Sequence, residues 1–333
     1  MAILVTGGAG FIGSHAVRDL VKNGFKVVVI DNMIYGHKEA IVDSEVTLVE
    51  GDIGDKNLLK NIFTQHKIEG VIHFAAYAYV GESVKEPLKY YKNNVASSLT
   101  LLETMLENDC KKIIFSSTCA TYGNPVQIPI TESHPQSPIN PYGWSKLMLE
   151  KIIMDFHRAY GFEYVFLRYF NASGSSKEGI IGEDHEPETH LIPLVLRSLL
   201  PGEPPITVFG TDYDTPDGTC IRDYIHVEDL ASAHVKALSY ILNGNPSIAL
   251  NLGVGRGYSV KEIIQAAEAV TGLKVNLKYG ERRAGDPPIL VADNTLAKKT
   301  LDWQPVYNDI NEIIATAWKW FNSSHGGRYG MKK

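Results

Sequence analysis

Tyr142 and Lys146 lie four residues apart in the run Tyr142-Gly143-Trp144-Ser145-Lys146. The stretch Tyr142–Tyr160 reads as a helix, so both side chains leave the same face. A phenol and an ammonium held side by side make an acid–base unit. An ordinary tyrosine has a pKa of about 10, and work near neutrality requires lowering it by roughly 3, about 4 kcal/mol. A neighbouring ammonium and a cationic cofactor can together supply that bias. Ser116-Ser117-Thr118 follows a predicted strand, Lys112–Ser116, and offers a hydroxyl at Thr118 for the same reacting oxygen. Such a trio suits proton transfer at an alcohol or carbonyl that is being oxidised or reduced.

Oxidation needs an electron acceptor, and the chain opens with a cradle for one. Ile3–Thr6 reads as a strand and runs into Gly7, Gly10 and Gly13, after which Ser14–Asn23 reads as a helix. Glycines at this spacing allow a tight turn and let a pyrophosphate approach the backbone and the positive helix end. Asp31 closes the second predicted strand, Lys26–Ile30, where a carboxylate accepts both ribose hydroxyls. The same charge repels a 2′-phosphate, so NAD is expected rather than NADP.

The elements that must position these groups alternate. Val46–Glu50, Gly70–Phe74, Lys112–Ser116 and Glu163–Arg168 continue the strands; Leu58–His66, Asn93–Asn108 and Tyr142–Tyr160 continue the helices. Repeated βα units predict an α/β, Rossmann-like, doubly wound parallel sheet. After about Asn171 the chain is richer in Gly, Pro, Asp and Glu, with short segments at Ile206–Phe209, Ala249–Leu252 and Val275–Tyr279 and helices near Val260–Val270 and Ile310–Phe321. This predicts residues 1–172 as an NAD-binding domain, with crossings back near 216–255, and 173–321 as a smaller α+β substrate-binding domain. Residues 322–333, above all His325–Lys333, read as a loose tail.

Composition sets the bounds. Hydrophobic residues make up 44% and charged residues 21% of 333, and the formal net charge is −6, which suits a soluble enzyme and disfavours nucleic acid as a partner. Three scattered cysteines, Cys110, Cys119 and Cys220, suit a reducing compartment. No secretory leader and no membrane-spanning run is read, so a cytoplasmic protein is expected.

From about Ala2 to Phe321 the chain resembles the extended short-chain dehydrogenase/reductase family, in its nucleotide-sugar 4-epimerase branch. The resemblance rests on TGGAGFIGSH, DN at 31–32, EGDI at 50–53, HFAA at 73–76, VGES at 80–83, YYKNNV at 90–95, SSTCATYG at 116–123, PYGWSK at 141–146, LRYFNASG at 167–174, GTCIRDYIHVEDLA at 218–231 and RRAGD at 282–286. It implies reversible interconversion of UDP-galactose and UDP-glucose by oxidation and re-reduction at C4, with Tyr142 as base and then acid, Lys146 lowering its pKa and holding the nicotinamide ribose, and Thr118 bonding O4. Implied cofactor contacts are Gly7, Gly10, Phe11, Ile12, Gly13, Asp31, Asn32, Asp52, Ile53, Phe74, Ala75, Ala76, Asn93, Lys146 and Phe170. Implied substrate contacts, beside Thr118 and Tyr142, are Asn171, His190, Leu191, Phe209, Arg222, Arg283, Asp286 and Leu290. The guanidinium forks of Arg222 and Arg283 suit a diphosphate. His226 is read as structural.

Two positions depart from the branch. Ala78 stands where some relatives carry a lysine, and Leu290 occupies the position whose bulk gates the sugar pocket. Leucine there is intermediate between tyrosine and smaller residues, so UDP-N-acetylhexosamines are expected as secondary substrates. Cys119-Ala120-Thr121 follows Thr118 without the acid that sugar-nucleotide dehydratases and decarboxylases carry, which argues against both. A 4-epimerase of pentose or uronate nucleotides and a non-catalytic NAD sensor are the alternatives. The resemblance also implies a homodimer through helices Asn93–Asn108 and Tyr142–Tyr160. The segment Gly182-Glu183-Asp184-His185-Glu186-Pro187-Glu188-Thr189-His190 concentrates carboxylates and histidines, but Pro187 interrupts any helix that could present them at fixed spacing, so no metal is expected.

Overall fold

The computed structural model describes residues 2–282, 286–324 and 326–330. The six strands expected in the first half are present as β1 (Ala2–Thr6), β2 (Lys26–Asp31), β3 (Thr47–Glu50), β4 (Ile68–His73), β5 (Lys112–Thr118) and β6 (Glu163–Tyr169). Between them run α1 (Phe11–Lys22), α2 (Lys56–Gln65), α3 (Val80–Lys85), α4 (Pro87–Tyr90), α5 (Ser98–Glu107) and α6 (Pro141–Tyr160). The remainder comprises β7 (Asn171–Ser173), α7 (Leu191–Arg197), β8 (Ile206–Phe209), β9 (Ile221–His226), α8 (Val227–Leu242), β10 (Ile248–Leu252), β11 (Gly257–Ser259), α9 (Val260–Thr271), β12 (Leu277–Gly280), β13 (Ile289–Leu290), α10 (Thr295–Leu301) and α11 (Ile310–Phe321).

Seven of the described strands form one parallel sheet in the order β3-β2-β1-β4-β5-β6-β10. All five residues of β1 are buried, because helices cover both sheet faces. Alternation along the strand sorts them: Ile3 and Val5 join the core beneath α1 and α8, whereas Ala2 and Leu4 join the core beneath α2, α5 and α6. β10 pairs with β6 from Ile248↔Val165 to Leu252↔Tyr169, so the sheet is completed by a late segment. The strand order reverses between β1 and β4. Ligands of such sheets bind in the crevice outside the strand C-termini at that point.

β6 leads directly into β7, which leaves the large sheet and pairs with β9 of a small four-stranded sheet that also holds β11 and β13. α7, α9 and α11 pack a third core around Ile263, Ile314 and Trp320. β8 and β12 make a separate two-stranded ribbon.

Two expectations about the backbone need correction. The helix expected over Asn93–Asn108 is not one α-helix, since Tyr91–Ser97 is a π turn and regular α geometry starts only at Ser98. The buried Asn94 amide group explains its worth there: it accepts from Tyr77 N (2.8 Å) and donates to Tyr77 O (3.0 Å) and Ser145 Oγ (2.9 Å), tying the turn to α6. Such turns gather at functional sites. The tail is also not loose in its described part. Tyr329 stacks on His37 at 4.8 Å, donates to Gly182 O (3.2 Å) and accepts from Gly182 N (3.0 Å), while its own amide donates to Asp184. One half-buried aromatic with both polar groups satisfied fixes the segment.

Candidate active site

Each expected site residue except Arg283 lines one continuous cleft of about 1570 Å³, which runs along the C-terminal edge of the large sheet and over to β9 and β13. Arg283 lies outside the described residues.

The glycine turn is built for close approach. Gly7 has φ of 70°, and a methyl on it would sit 2.6 Å from Ala75 N; a methyl on Gly13 would sit 2.2 Å from Gly7 O. The turn, the end of β4 and the start of α1 are thus packed backbone to backbone. Gly10 caps α1 with no side chain, so the first amides of that helix point into the cleft region unclaimed by a capping oxygen. Phe11, Ile12 and Gly13 follow on the helix. Asp31 ends β2; its Oδ2 accepts from Ala9 N and its Oδ1 from Met33 N, each at 3.0 Å. Burial raises its carboxyl above the ordinary value, and the two amide donors oppose this. Asn32 Nδ2 donates to Asp52 Oδ2 at 3.0 Å, which couples the ends of β2 and β3, with Ile53 buried beside them. Phe74, Ala75 and Ala76 continue β4 into the cleft, Asn93 lies on the π turn, and Phe170 closes β6. This arrangement fits a dinucleotide: a turn that side chains would fill, an uncapped helix end and an acid at the end of β2.

At the centre, Thr118 ends β5 while α6 brings Tyr142 and Lys146. α6 starts on Pro141 and is capped by Asn140, whose Oδ1 accepts from Gly143 N at 2.8 Å. Lys146 is buried and donates from Nζ to Ser116 O at 2.9 Å, with Nζ 4.9 Å from the Phe115 ring centroid. Burial pulls its pKa down to about 7, and Glu150, one turn on, opposes that. Tyr142 differs from the expectation. Burial pushes the phenol well above its ordinary value and Tyr169 adds to the rise, while a hydrogen bond with Thr118 opposes it. The chain's own groups therefore hold Tyr142 protonated, because desolvation of the phenolate outweighs that single bond. Cys119 is packed, its thiol pushed up to about 12 by burial, which does not suit a nucleophile.

On the far side, Asn171 donates to Asp223 O at 3.1 Å and belongs to β7. Arg222 and Asp286 form an ion pair with each other, and Leu290 lies opposite Arg222 in the β9–β13 ladder. Phe209 ends β8 at the rim. His226 is structural as expected: its Nδ1 caps α8 by accepting from Glu228 N (3.1 Å), Nε2 bonds Thr316 Oγ1 (2.9 Å), and its ring stacks on Tyr307.

His190 and Leu191 sit where the loop before α7 meets that helix. His190 Nδ1 lies 2.7 Å from Glu183 Oε1 and 3.0 Å from Glu188 Oε1, and His185 Nδ1 lies 3.3 Å from Glu183 Oε1. Burial lowers both imidazoles, but the two carboxylates outweigh it and raise His185 to about 9 and His190 to about 10. Pro187 does prevent a helix here, yet the four donors converge on the loop without one. Sequence reasoning also missed Tyr35, Tyr77 and Tyr79, an edge-packed aromatic wall over the cleft. Tyr77 and Tyr79 on either side of Ala78 were the available signal for two of the three.

Comparison with known proteins places the chain among relatives of one family. The sequence model of the NAD dependent epimerase/dehydratase family matches residues 3–253. The chain is similar to the UDP-glucose 4-epimerase of Lactobacillus helveticus, at 51% identity over 327 residues covering 98% of this chain and 99% of the relative. It is also similar to that of Halalkalibacterium halodurans, at 53% over 320 residues covering 96% and 95%. The crystal structure of UDP-glucose 4-epimerase from Brucella ovis in complex with NAD shares 49% identity with a TM-score of 0.93, over 96% of this chain and 98% of that one.

Proposed function

This chain belongs to the NAD dependent epimerase/dehydratase family, and from that premise we propose how its cleft carries out the NAD-dependent interconversion of UDP-galactose and UDP-glucose. The observation that carries the reading is the convergence of Thr118, Tyr142 and Lys146 at the end of β5, beside the glycine cradle and across from Arg222.

Gly7, Gly10 and Gly13 would hold the pyrophosphate of NAD, Asp31 and Asn32 the adenosine ribose, Asp52 and Ile53 the adenine, and Asn93, Lys146 and Phe170 the nicotinamide end. When bound, NAD supplies the two-electron oxidation and re-reduction at C4 and a positive charge beside the phenol. Tyr142 takes the proton of the sugar 4-hydroxyl and later returns it. Thr118 holds that oxygen as charge develops on it. Lys146, fixed to Ser116 O, would lend positive charge to the phenolate in its protonated form. Arg222 would exchange Asp286 for the substrate diphosphate, releasing Asp286 to the uridine ribose; Asn171, His190, Leu191 and Phe209 complete the wall. Inversion at C4 would require the keto sugar to turn over within this cleft.

The test uses purified protein and UDP-galactose with no added nicotinamide, following UDP-glucose. Conversion supports the reading; failure even after NAD is supplied removes the hexose assignment.

Leu290 is partly buried and packs beside Tyr122, Ile130, Phe170 and Ala292. It leaves more room than a tyrosine, so UDP-N-acetylglucosamine is turned over within roughly 1,000-fold of UDP-glucose, about 4 kcal/mol of discrimination. Leu290→Tyr selectively lowers the N-acetylated rate. Equal losses on both sugars in that variant would contradict a gating role.

Trp144 and Met148, exposed on α6, line a shallow groove with Val95, Leu147, Lys151 and Ile152, and Leu99 is exposed on α5. This face supports the homodimer expected from the family. Sedimentation at assay concentration yields twice the chain mass, and a monomer there excludes it. No described helix is long and apolar enough to cross a membrane. The cysteines are free, which supports a cytoplasmic location; recovery from an oxidising compartment would overturn it.

A further inference from the structure

The loop before α7 gathers two carboxylates and two imidazoles at one point. One ligand atom from each of Glu183, His185, Glu188 and His190 lies within 4.8 Å of all the others. The closer separations are 2.7, 3.0, 3.3 and 3.8 Å. Bonds of about 2.0–2.2 Å to a tetrahedral ion place its ligand atoms roughly 3.4 Å apart, so small side-chain adjustments complete the cage.

The carboxylates form the deep side of the cluster, while the His185 and His190 side chains, 15% and 44% exposed, face the cleft. The Glu183 and Glu188 side chains are 4% and 1% exposed. Within it several polar atoms remain without a hydrogen-bond partner: Glu188 Oε2, His185 Nδ1, and the hydroxyl of buried Tyr79, whose ring packs edge-on against His185. Buried polar atoms are ordinarily satisfied, and a residual group calls for a specific explanation. Glu188 Oε2 faces His185 Nδ1 at 3.8 Å, a gap too long for a hydrogen bond and suited to a shared third atom.

We propose that Glu183, His185, Glu188 and His190 bind one divalent transition-metal ion of the zinc type, each giving one ligand atom. Two imidazole nitrogens with two carboxylate oxygens favour zinc over magnesium or calcium, which demand more oxygen ligands. The ion is a structural clasp. It ties the loop to the first turn of α7 and so fixes His190 and Leu191 on the cleft wall. Trp320 Nε1, which donates to Glu183 O at 3.1 Å, and the Tyr329 contacts to Gly182 and Asp184 support the loop from behind.

The test begins with the full chain carrying its bound NAD, dialysed against chelator and titrated with zinc chloride in a calorimeter. One equivalent binds per chain and raises the thermal midpoint, and excess magnesium does not displace it. His185→Ala and Glu188→Gln weaken binding by roughly 10-fold or more, since even outer-shell changes cost 10- to 100-fold. Equal affinity in parent and variants, or no uptake, overturns the site and leaves the four groups as an ion-pair cluster only. Should a variant fail to fold, diffraction from parent crystals at the zinc absorption edge decides. A peak between the four residues establishes the site, and a peak elsewhere or none refutes it.

Discussion

Tyr142→Phe retains NAD but converts UDP-galactose roughly 1,000-fold more slowly than the parent, equivalent to about 4 kcal/mol of transition-state stabilisation. The substitution removes only the group that carries the proton. The ring is buried, so phenylalanine fills the same space and the fold is kept. Thr118, whose hydroxyl bonds the phenol, loses that partner but still caps the short turn after β5 by accepting from Ala120 N at 3.2 Å. The readouts are turnover without added cofactor and the NAD released on unfolding. A variant retaining more than about a tenth of the parent rate would remove Tyr142 from the proton-transfer role, because general acid–base groups contribute at least about 100-fold. Loss of NAD in step with activity would instead make it a binding residue.

Glu150→Leu destabilises the protein by about 3–5 kcal/mol, the usual cost of leaving one member of a buried ion pair alone. Glu150 is fully buried and accepts from Arg168 Nε and NH2 at 2.9 and 2.7 Å, from Ser117 Oγ at 2.6 Å and from Gln136 Nε2 at 3.0 Å. Leucine strands the Arg168 guanidinium, which then keeps only Tyr122 OH at 3.1 Å and Glu132 O at 3.3 Å. The pair also joins the working elements: Glu150 is one turn beyond Lys146 on α6, Arg168 is on β6, and Ser117 adjoins Thr118 on β5. Turnover therefore falls with stability. The double change Glu150→Leu with Arg168→Met recovers most of the loss, since an apolar pair of similar volume replaces the ionic one. Denaturant titration checks both; a single variant within about 1 kcal/mol of the parent would show that the pair braces nothing.

The large sheet was readable because its strands are buried on both faces and therefore appear as apolar, β-branched runs between turn signals. Tyr142 and Lys146 were readable for a related reason, as helical spacing alone puts them on one face. The small sheet was not. β13 has two residues and β7 three, and each becomes a strand only by pairing with β9, across distances along the chain that periodicity cannot sense. The π turn over Tyr91–Ser97 has no residue signature of its own, since its shifted ladder rests on where Asn94 finds partners. Pro187 misled in an instructive way. It excludes a helix over residues 182–190, yet a loop needs no period to bring Glu183, His185, Glu188 and His190 together. Tyr329 likewise lies in a stretch of small and polar residues, and only its contacts with His37, Trp320 and Gly182 show that it is anchored.

The place of β10 bears on how the protein is made. Synthesis runs from the amino terminus, yet the seventh strand of the nucleotide-binding sheet, Ile248–Leu252, emerges only after β7, α7, β8, β9 and α8. Until then Leu167 and Tyr169 on β6 lack the neighbour that protects that edge, and an open edge is a template for mispairing. A nascent chain halted near residue 172 therefore exposes an adhesive border, and the large sheet cannot be completed before β7, β8 and β9 have been made.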